Sequence, residues 1–143
     1  MRQVRVYSAD PLAAHSEQEL GRAASAHVLR VLRLRAGDAL TLFDGRGGEY
    51  PARLVRTGRA AAVVEVGAHL PLERESPLAI TLLQSLARGE KMDFIVQKGT
   101  ELGVTRIVPV AVGRSVMRVP QGREGRKLEH WRAVAASACE QCG

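Results

Sequence analysis

At 143 residues the chain is long enough for one ordinary domain or two small ones, and its apolar fraction of 45% argues for a folded core with few aromatics. The net charge of +6 and a pI near 10.1 favour a polyanionic partner such as nucleic acid, the bland alternative being a solvated basic surface. There is no run of about 20 apolar residues that could cross a membrane, and the opening MRQVRVYSAD lacks a signal-peptide core, so the expected compartment is the cytoplasm.

The first predicted strand is VRVY, residues 4–7. AASAHVLRVLRL follows, with Ala24, Val28, Val31 and Leu32 at helical spacing and His27, Arg30 and Arg33 around that face. RAGD (35–38) is a turn, and a hairpin is expected with strands at 39–44 and 48–56. Its turn, DGRGG, is no phosphate loop, because Glu-Tyr-Pro leads into a strand where Gly-Lys-Ser or Gly-Lys-Thr would open a helix. Pro51 suggests an edge position or a bulge. AAAVVEVG (60–67) is a further β-rich run, and short strands linked by turns suggest a small barrel. Between Arg22 and Arg59 stand eight arginines against Asp38, Asp44 and Glu49. Arginine makes bidentate phosphate contacts and stacks on bases, so such a surface suits RNA.

LPLERESPL (70–78) is charged and proline-bounded, and the pattern changes after it. The expected division is a barrel at 1–72, a linker at 73–77 and a second domain at 78–143. LAITLLQSLA (78–87) reads as a strand buried on both faces. In RGEKMDFIVQKGTELGV, Met92, Ile95, Val96, Gly99 and Gly103 share one helix face, and Gly103 can close the helix in the left-handed conformation. VTRIVPVAV (104–112) is a second strand, making a parallel βαβ unit with a right-handed crossover. Ligands bind beyond the carboxyl ends of such strands, which brings Arg88 and Lys91 from one loop together with Arg114 and Arg118 from the next. An anion or substrate site is expected there; the alternative is that these cations complement Glu90 and Asp93.

A third helix spans 124–142, with Leu128, Trp131, Val134, Ala135, Ala138 and Cys142 expected to pack on the sheet. Two strands make a poor sheet, so this domain is expected to be incomplete within the chain. Cys139 and Cys142 form C-x-x-C, but no second ligand pair follows and His130 lies too far back, so neither zinc nor any other metal is expected. A redox pair would open a helix after a strand, whereas this one closes a helix.

Taken in order, LRVLRLRAGD, LFDGRGGEY, ERESPL, RGEKMDFIVQKGTELGV, IVPV, GRSV, KLEHW and ACEQCG resemble one bacterial family over nearly the whole chain. The chain looks like the N-terminal portion of the RsmE family, which methylates ring nitrogen three of a uridine in 16S ribosomal RNA of the small subunit. The resemblance implies an α/β protein, with an N-terminal PUA-like β-barrel followed by the first part of a SPOUT (trefoil-knot) methyltransferase domain. It also implies S-adenosylmethionine as methyl donor, with no metal, and a homodimer. By the same resemblance Arg2, Arg5, His27, Arg30 and Arg33 lie on the barrel's RNA-facing side. Arg88, Lys91, Gln97, Lys98, Glu101, Arg114, Glu140 and Gln141 belong to the SPOUT motifs near the active site, with Arg88, Lys91 and Lys98 also expected to touch RNA.

Two positions depart from the family pattern. Gly99 stands where a helix former such as alanine is usual, at a helix-propensity cost of about 1 kcal/mol. Gly113 precedes Arg114 where an acidic residue is common. The donor-binding segment of the family is expected beyond this sequence, so the 143-residue chain alone is expected to be inactive and to give no calorimetric binding of S-adenosylmethionine. Arg114 is the candidate catalytic residue, as a cation that stabilises the negative charge developing on the base. Other readings are a non-catalytic RNA-binding module and a ribosome-assembly factor.

Overall fold

The computed structural model describes residues 4–59, 61–113 and 122–142. The chain divides into two units, Met1–Arg74 and Glu75–Gly143, and its class is α/β. None of the described helices is long and apolar enough to cross a membrane.

In the first unit five strands form one mixed sheet: β1 (Arg5–Tyr7), β2 (Ser16–Glu19), β3 (Ala39–Phe43), β4 (Tyr50–Thr57) and β5 (Ala62–Val66), in the spatial order β1-β3-β4-β5-β2. β1 runs parallel to β3 and the other neighbours are antiparallel. Alternation drives the burial. Ala52 and Leu54 of β4 and Ala62, Val64 and Val66 of β5 point inward, while Arg53 and Glu65 point out. Val6, Leu12, Leu20, Ala24, Val28, Leu40 and Leu42 join them in this core.

Pro51 is not on an edge, because β4 is the central strand. The missing N–H is tolerated because β5 ends at Val66, and the Pro51 carbonyl accepts from Gly67 N–H at 2.8 Å just past that end. The bulge lies at Val55, where the register shifts between Leu54 and Arg56. The glycine-rich turn is structural. Gly48 has φ +71°, and a Cβ there would stand 2.2 Å from His69 Nε2 and 2.5 Å from the Leu70 carbonyl oxygen.

The helical segment between β2 and β3 differs from expectation. α1 spans Arg22–Ala26, and a π-helical turn takes over at His27–Val31. Leu32 N–H bonds to the His27 carbonyl at 2.9 Å, one residue wider than an α-helix allows. The wider turn brings Leu32 under Val28 and swings Val31 out, so Val31 is 68% exposed although α-helical spacing placed it on the buried face.

In the second unit β6 (Thr81–Ser85) and β7 (Arg106–Val110) pair in parallel, with Leu83 opposite Val108. α2 (Glu90–Glu101) crosses between them and α3 (Glu124–Cys142) follows. Met92 and Val96 of α2 meet Trp131 of α3 and Leu86 in the core. α3 therefore packs chiefly on α2, not directly on the sheet, with Trp131 as its anchor. Leu128 and Cys142 of the expected face remain exposed. The expectation that β6 is buried on both faces does not hold either: Thr81, Leu83 and Ser85 are exposed, because the described helices cover one face of the pair.

α2 closes in a Schellman motif. Val104 N–H bonds to the Gly99 carbonyl at 2.9 Å, Gly103 N–H bonds to the Thr100 carbonyl at 3.0 Å, and Gly103 has φ +82°. Gly99 itself faces the sheet. A Cβ there would lie 3.4 Å from Ile107 Cδ1 and 3.8 Å from Leu82 Cδ2, ordinary contact distances. Gly99→Ala is therefore expected to raise stability by about 0.5–1 kcal/mol through helix propensity. A thermal melt that falls below wild type would show that the helix cannot sit any farther from β7.

Candidate functional site

The arginines of the first unit separate into two groups once their partners are known. Arg53 donates to the Gly37 carbonyl at 2.6 Å, and Arg56 pairs with Glu17. Arg5 is locked inside the unit: Nη1 lies 2.7 Å from Glu49 Oε2, and the guanidinium sits 4.9 Å over the Phe43 ring. Its side chain is 15% exposed, so Arg5 serves the fold more than any surface. Arg22, Arg30, Arg33 and Arg35 are all exposed and make no ion pair among the described residues. They cluster along α1, the π turn and the segment after it. His27 is half-buried at the base of that turn. Arg2 lies outside the described residues.

The sheet holds this basic segment in place. Ser25, fully buried, donates to the Leu20 carbonyl at 2.7 Å and accepts from Ala62 N–H at 3.1 Å, tying α1 to β5. Val28 is also fully buried. The π turn thus has a fixed base and a cationic outer surface. A separate open groove of roughly 670 Å³ runs past Ser16, Arg53 and Pro51, but Glu17 and Glu65 on its wall make it a poor seat for a polyanion.

In the second unit the carboxyl ends of β6 and β7 lie side by side, with Ser85 opposite Val110 and Leu86 N–H bonded to the Val110 carbonyl at 3.1 Å. Arg88 and Lys91 follow β6 and are exposed, as is Gly113 after β7. Arg114 and Arg118 lie outside the described residues. Asp93 has partners on α3. Its carboxylate accepts from Trp131 Nε1 at 3.2 Å and lies 2.8 Å from His130 Nε2, so it links α2 to α3.

Farther along α2, Lys98 Nζ lies 2.6 Å from Glu101 Oε2 and 5.9 Å from the Phe94 ring centre. The hydrogen bond from Lys98 holds the Glu101 carboxyl below the usual carboxylate range, and the Lys98 charge and Gln97 act in the same direction. Lys98 therefore offers RNA less charge than its sequence position suggests. Glu140 is half-buried and Gln141 exposed in the last turn of α3, beside Cys139 and Cys142, which form no disulfide among the described residues.

Sequence reasoning passed over Glu49, counting it only as one acid among the arginines. It is 4% exposed, and it holds Arg5 and, at 3.3 Å, Arg74. The available signal was a charged residue next to a turn glycine and ahead of a strand, which periodicity does not single out.

Comparison with known proteins places these features in a family. Residues 20–67 match the family described as an RNA methyltransferase PUA domain, and residues 74–143 match an RNA methyltransferase domain. The structure superposes with a TM-score of 0.92 on a ribosomal RNA small subunit methyltransferase E from Neisseria gonorrhoeae bound to S-adenosyl methionine. That protein is 39% identical, over 99% of this chain and 58% of its own. A methyltransferase from Legionella pneumophila in complex with the cofactor SAM gives a TM-score of 0.96 at 35% identity, over 100% of this chain and 59% of that one. In sequence, the ribosomal RNA small subunit methyltransferase E of Buchnera aphidicola is 29% identical over 138 residues, which is 96% of this chain and 54% of the relative. The chain spans about half the length of the curated relatives it matches. A PUA domain and a methyltransferase domain of RNA methyltransferases matched in succession, on a fold shared over the length of this chain, show that the chain belongs to the ribosomal RNA small subunit methyltransferase E family, RsmE.

Proposed function

We propose that the protein transfers the methyl group of S-adenosylmethionine to ring nitrogen three of a uridine in 16S ribosomal RNA of the small ribosomal subunit. It acts in the cytoplasm as a homodimer with a SPOUT-type catalytic domain. The observation that carries this reading is the likeness, at 39% identity over 99% of the chain, to the Neisseria enzyme of that name.

The two units divide the work. Arg30 and Arg33 hold the phosphate backbone through bidentate hydrogen bonds, and His27 and Arg2 are assigned to the same RNA contact. At the sheet edge Arg88 and Lys91 draw the RNA toward the carboxyl ends of β6 and β7. Gln97, Lys98 and Glu101, in the later turns of α2, and Glu140 and Gln141, in the last turn of α3, serve as framework for these helices.

When bound, the donor supplies a methyl group activated on a sulfonium. Arg88 and Lys91, the exposed cations at the edge, complement a phosphate or carboxylate and repel a sulfonium, so the described residues do not make a seat for the donor's charged sulfur. The steps assigned to this chain are therefore binding and charge stabilisation. Ring nitrogen three must lose its proton before it attacks, and the negative charge then spreads to the uracil oxygens. Arg114 follows β7 in the chain, and its guanidinium keeps its charge at any relevant pH and can pair with such an oxygen.

The test uses cells that lack the protein. Mass spectrometry of their small-subunit RNA is expected to show one N3-methyluridine lost. The wild-type gene should restore it and Arg114→Ala should restore it poorly. An unchanged methyluridine content in the deletion strain would overturn the assignment. Full restoration by the alanine variant would remove Arg114 from the site.

A further inference from the structure

We propose that Val31 is an apolar wedge that rests against an unstacked nucleobase, so that this face selects RNA with unpaired nucleotides over continuous duplex. The inference rests on the RNA-binding reading given above and adds the form of RNA to it.

Three observations carry it. The first is the π turn, which turns Val31 outward, 68% exposed, while its neighbours Leu29 and Leu32 pack on the core. The second is the backbone after the turn. Arg33 holds a left-handed conformation, φ +55°, in a position where glycine is the usual choice, and Leu34 N–H reaches back to the Val28 carbonyl at 3.0 Å. Strain of that kind, kept on a non-glycine residue beside a π turn, is characteristic of functional segments. The third is the setting. Val31 stands between Arg30 and Arg33, both exposed and without ion pairs among the described residues.

Charge complementarity names the occupant. An exposed aliphatic side chain flanked by two guanidinium groups matches a base flanked by two phosphates. Sequence-selective RNA binding relies on splayed bases laid on aromatic rings or guanidinium planes. Among the described residues of the first unit no phenyl or phenol ring is exposed, since Phe43 is buried and Tyr7 and Tyr50 are half-buried, and the exposed imidazoles of His15 and His69 belong to other segments of the chain. Contact with a base therefore falls to Val31 and the two arginines. Aliphatic side chains play this part where proteins pry base steps apart. A regular A-form duplex presents phosphates but no open base face, so it would use the arginines alone.

The experiment measures anisotropy for two labelled RNAs of equal nucleotide number, a hairpin with an unpaired loop and a blunt duplex. The wild-type protein is compared with Val31→Ser, Val31→Leu and the double variant Arg30→Ala, Arg33→Ala. Val31→Ser is expected to weaken hairpin binding about tenfold, with duplex binding and the salt slope unchanged. Val31→Leu should keep wild-type affinity. Val31 is exposed, so melting should be unaltered in both variants. If the arginine variant loses affinity for both RNAs while Val31→Ser binds both like wild type, the wedge is overturned and the RNA face stands. If neither variant changes binding, the RNA reading falls with it. Equal weakening of hairpin and duplex by Val31→Ser would also overturn the proposal.

Discussion

Replacing Glu49 with alanine is expected to lower stability of the first unit by about 2–3 kcal/mol. Glu49 is 4% exposed and holds Arg5 at 2.7 Å and Arg74 at 3.3 Å. Removing one partner of a buried pair leaves the other charge without compensation, which typically costs about 3–5 kcal/mol. Arg5 retains some exposure, so the loss falls at or just below the bottom of that range. Its Nε is already a buried donor without a partner among the described residues, and it would lose the anion that compensates the rest of the group. The backbone of Glu49 bonds to Leu70 in both directions, at 2.9 and 2.8 Å, and those bonds survive the substitution. In a unit of this size the loss corresponds to a fall in melting temperature of at least about 10 °C. Glu49→Gln should fall between, since it keeps the shape and loses the charge. Combining Glu49→Ala with Arg5→Met should recover part of the loss, because a buried pair replaced by apolar groups is often close to neutral. An alanine variant that melts like wild type would show that Arg5 finds enough water to stand alone.

The elements legible in the sequence are those with strong periodicity or definite turn chemistry. The β3–β4 hairpin, α2 with its Gly103 cap, the parallel β6–β7 pair and the 19-residue α3 all have such signals. β2 does not. Its sequence, Ser-Glu-Gln-Glu, has no apolar alternation, and it forms because its backbone pairs with β5 from Ser16↔Val66 to Glu19↔Val63 at the sheet's edge. The π turn was hidden for a different reason. Val28, Val31 and Leu32 fit α-helical spacing, and one extra residue in the turn exchanges which of them faces water. Asp93 and Glu49 show the same limit for polar groups. Pattern places a carboxylate on an element, but only tertiary structure chooses its partner among several nearby cations and donors. For the candidate site, composition pointed to RNA and the motif order pointed to the family. Which arginines keep their charge for a ligand depended on long-range pairs such as Arg5 with Glu49 and Arg56 with Glu17.

Arg30→Ala with Arg33→Ala is expected to weaken RNA binding about a hundredfold at low salt. Each arginine removes a charge-assisted contact to phosphate, worth about 1.5 kcal/mol or roughly tenfold. Neither side chain has an ion pair to lose among the described residues and both are exposed, so the fold should be little affected. Salt dependence gives an independent measure. For single-stranded RNA the slope of log affinity against log salt should flatten by about 1.4, or 0.7 for each phosphate released. At high salt the variant and wild type should therefore converge. Arg33→Gly separates the side chain from the backbone it strains. Glycine accepts the left-handed conformation at φ +55°, which removes a penalty of about 1 kcal/mol, so melting should rise or hold. RNA affinity should nevertheless fall about tenfold, because the guanidinium is gone. A face that merely carries solvated charge would instead show wild-type affinity in Arg33→Gly and an unchanged slope in the double variant. A loss of affinity that appears only together with a loss of melting temperature would assign these arginines to the fold.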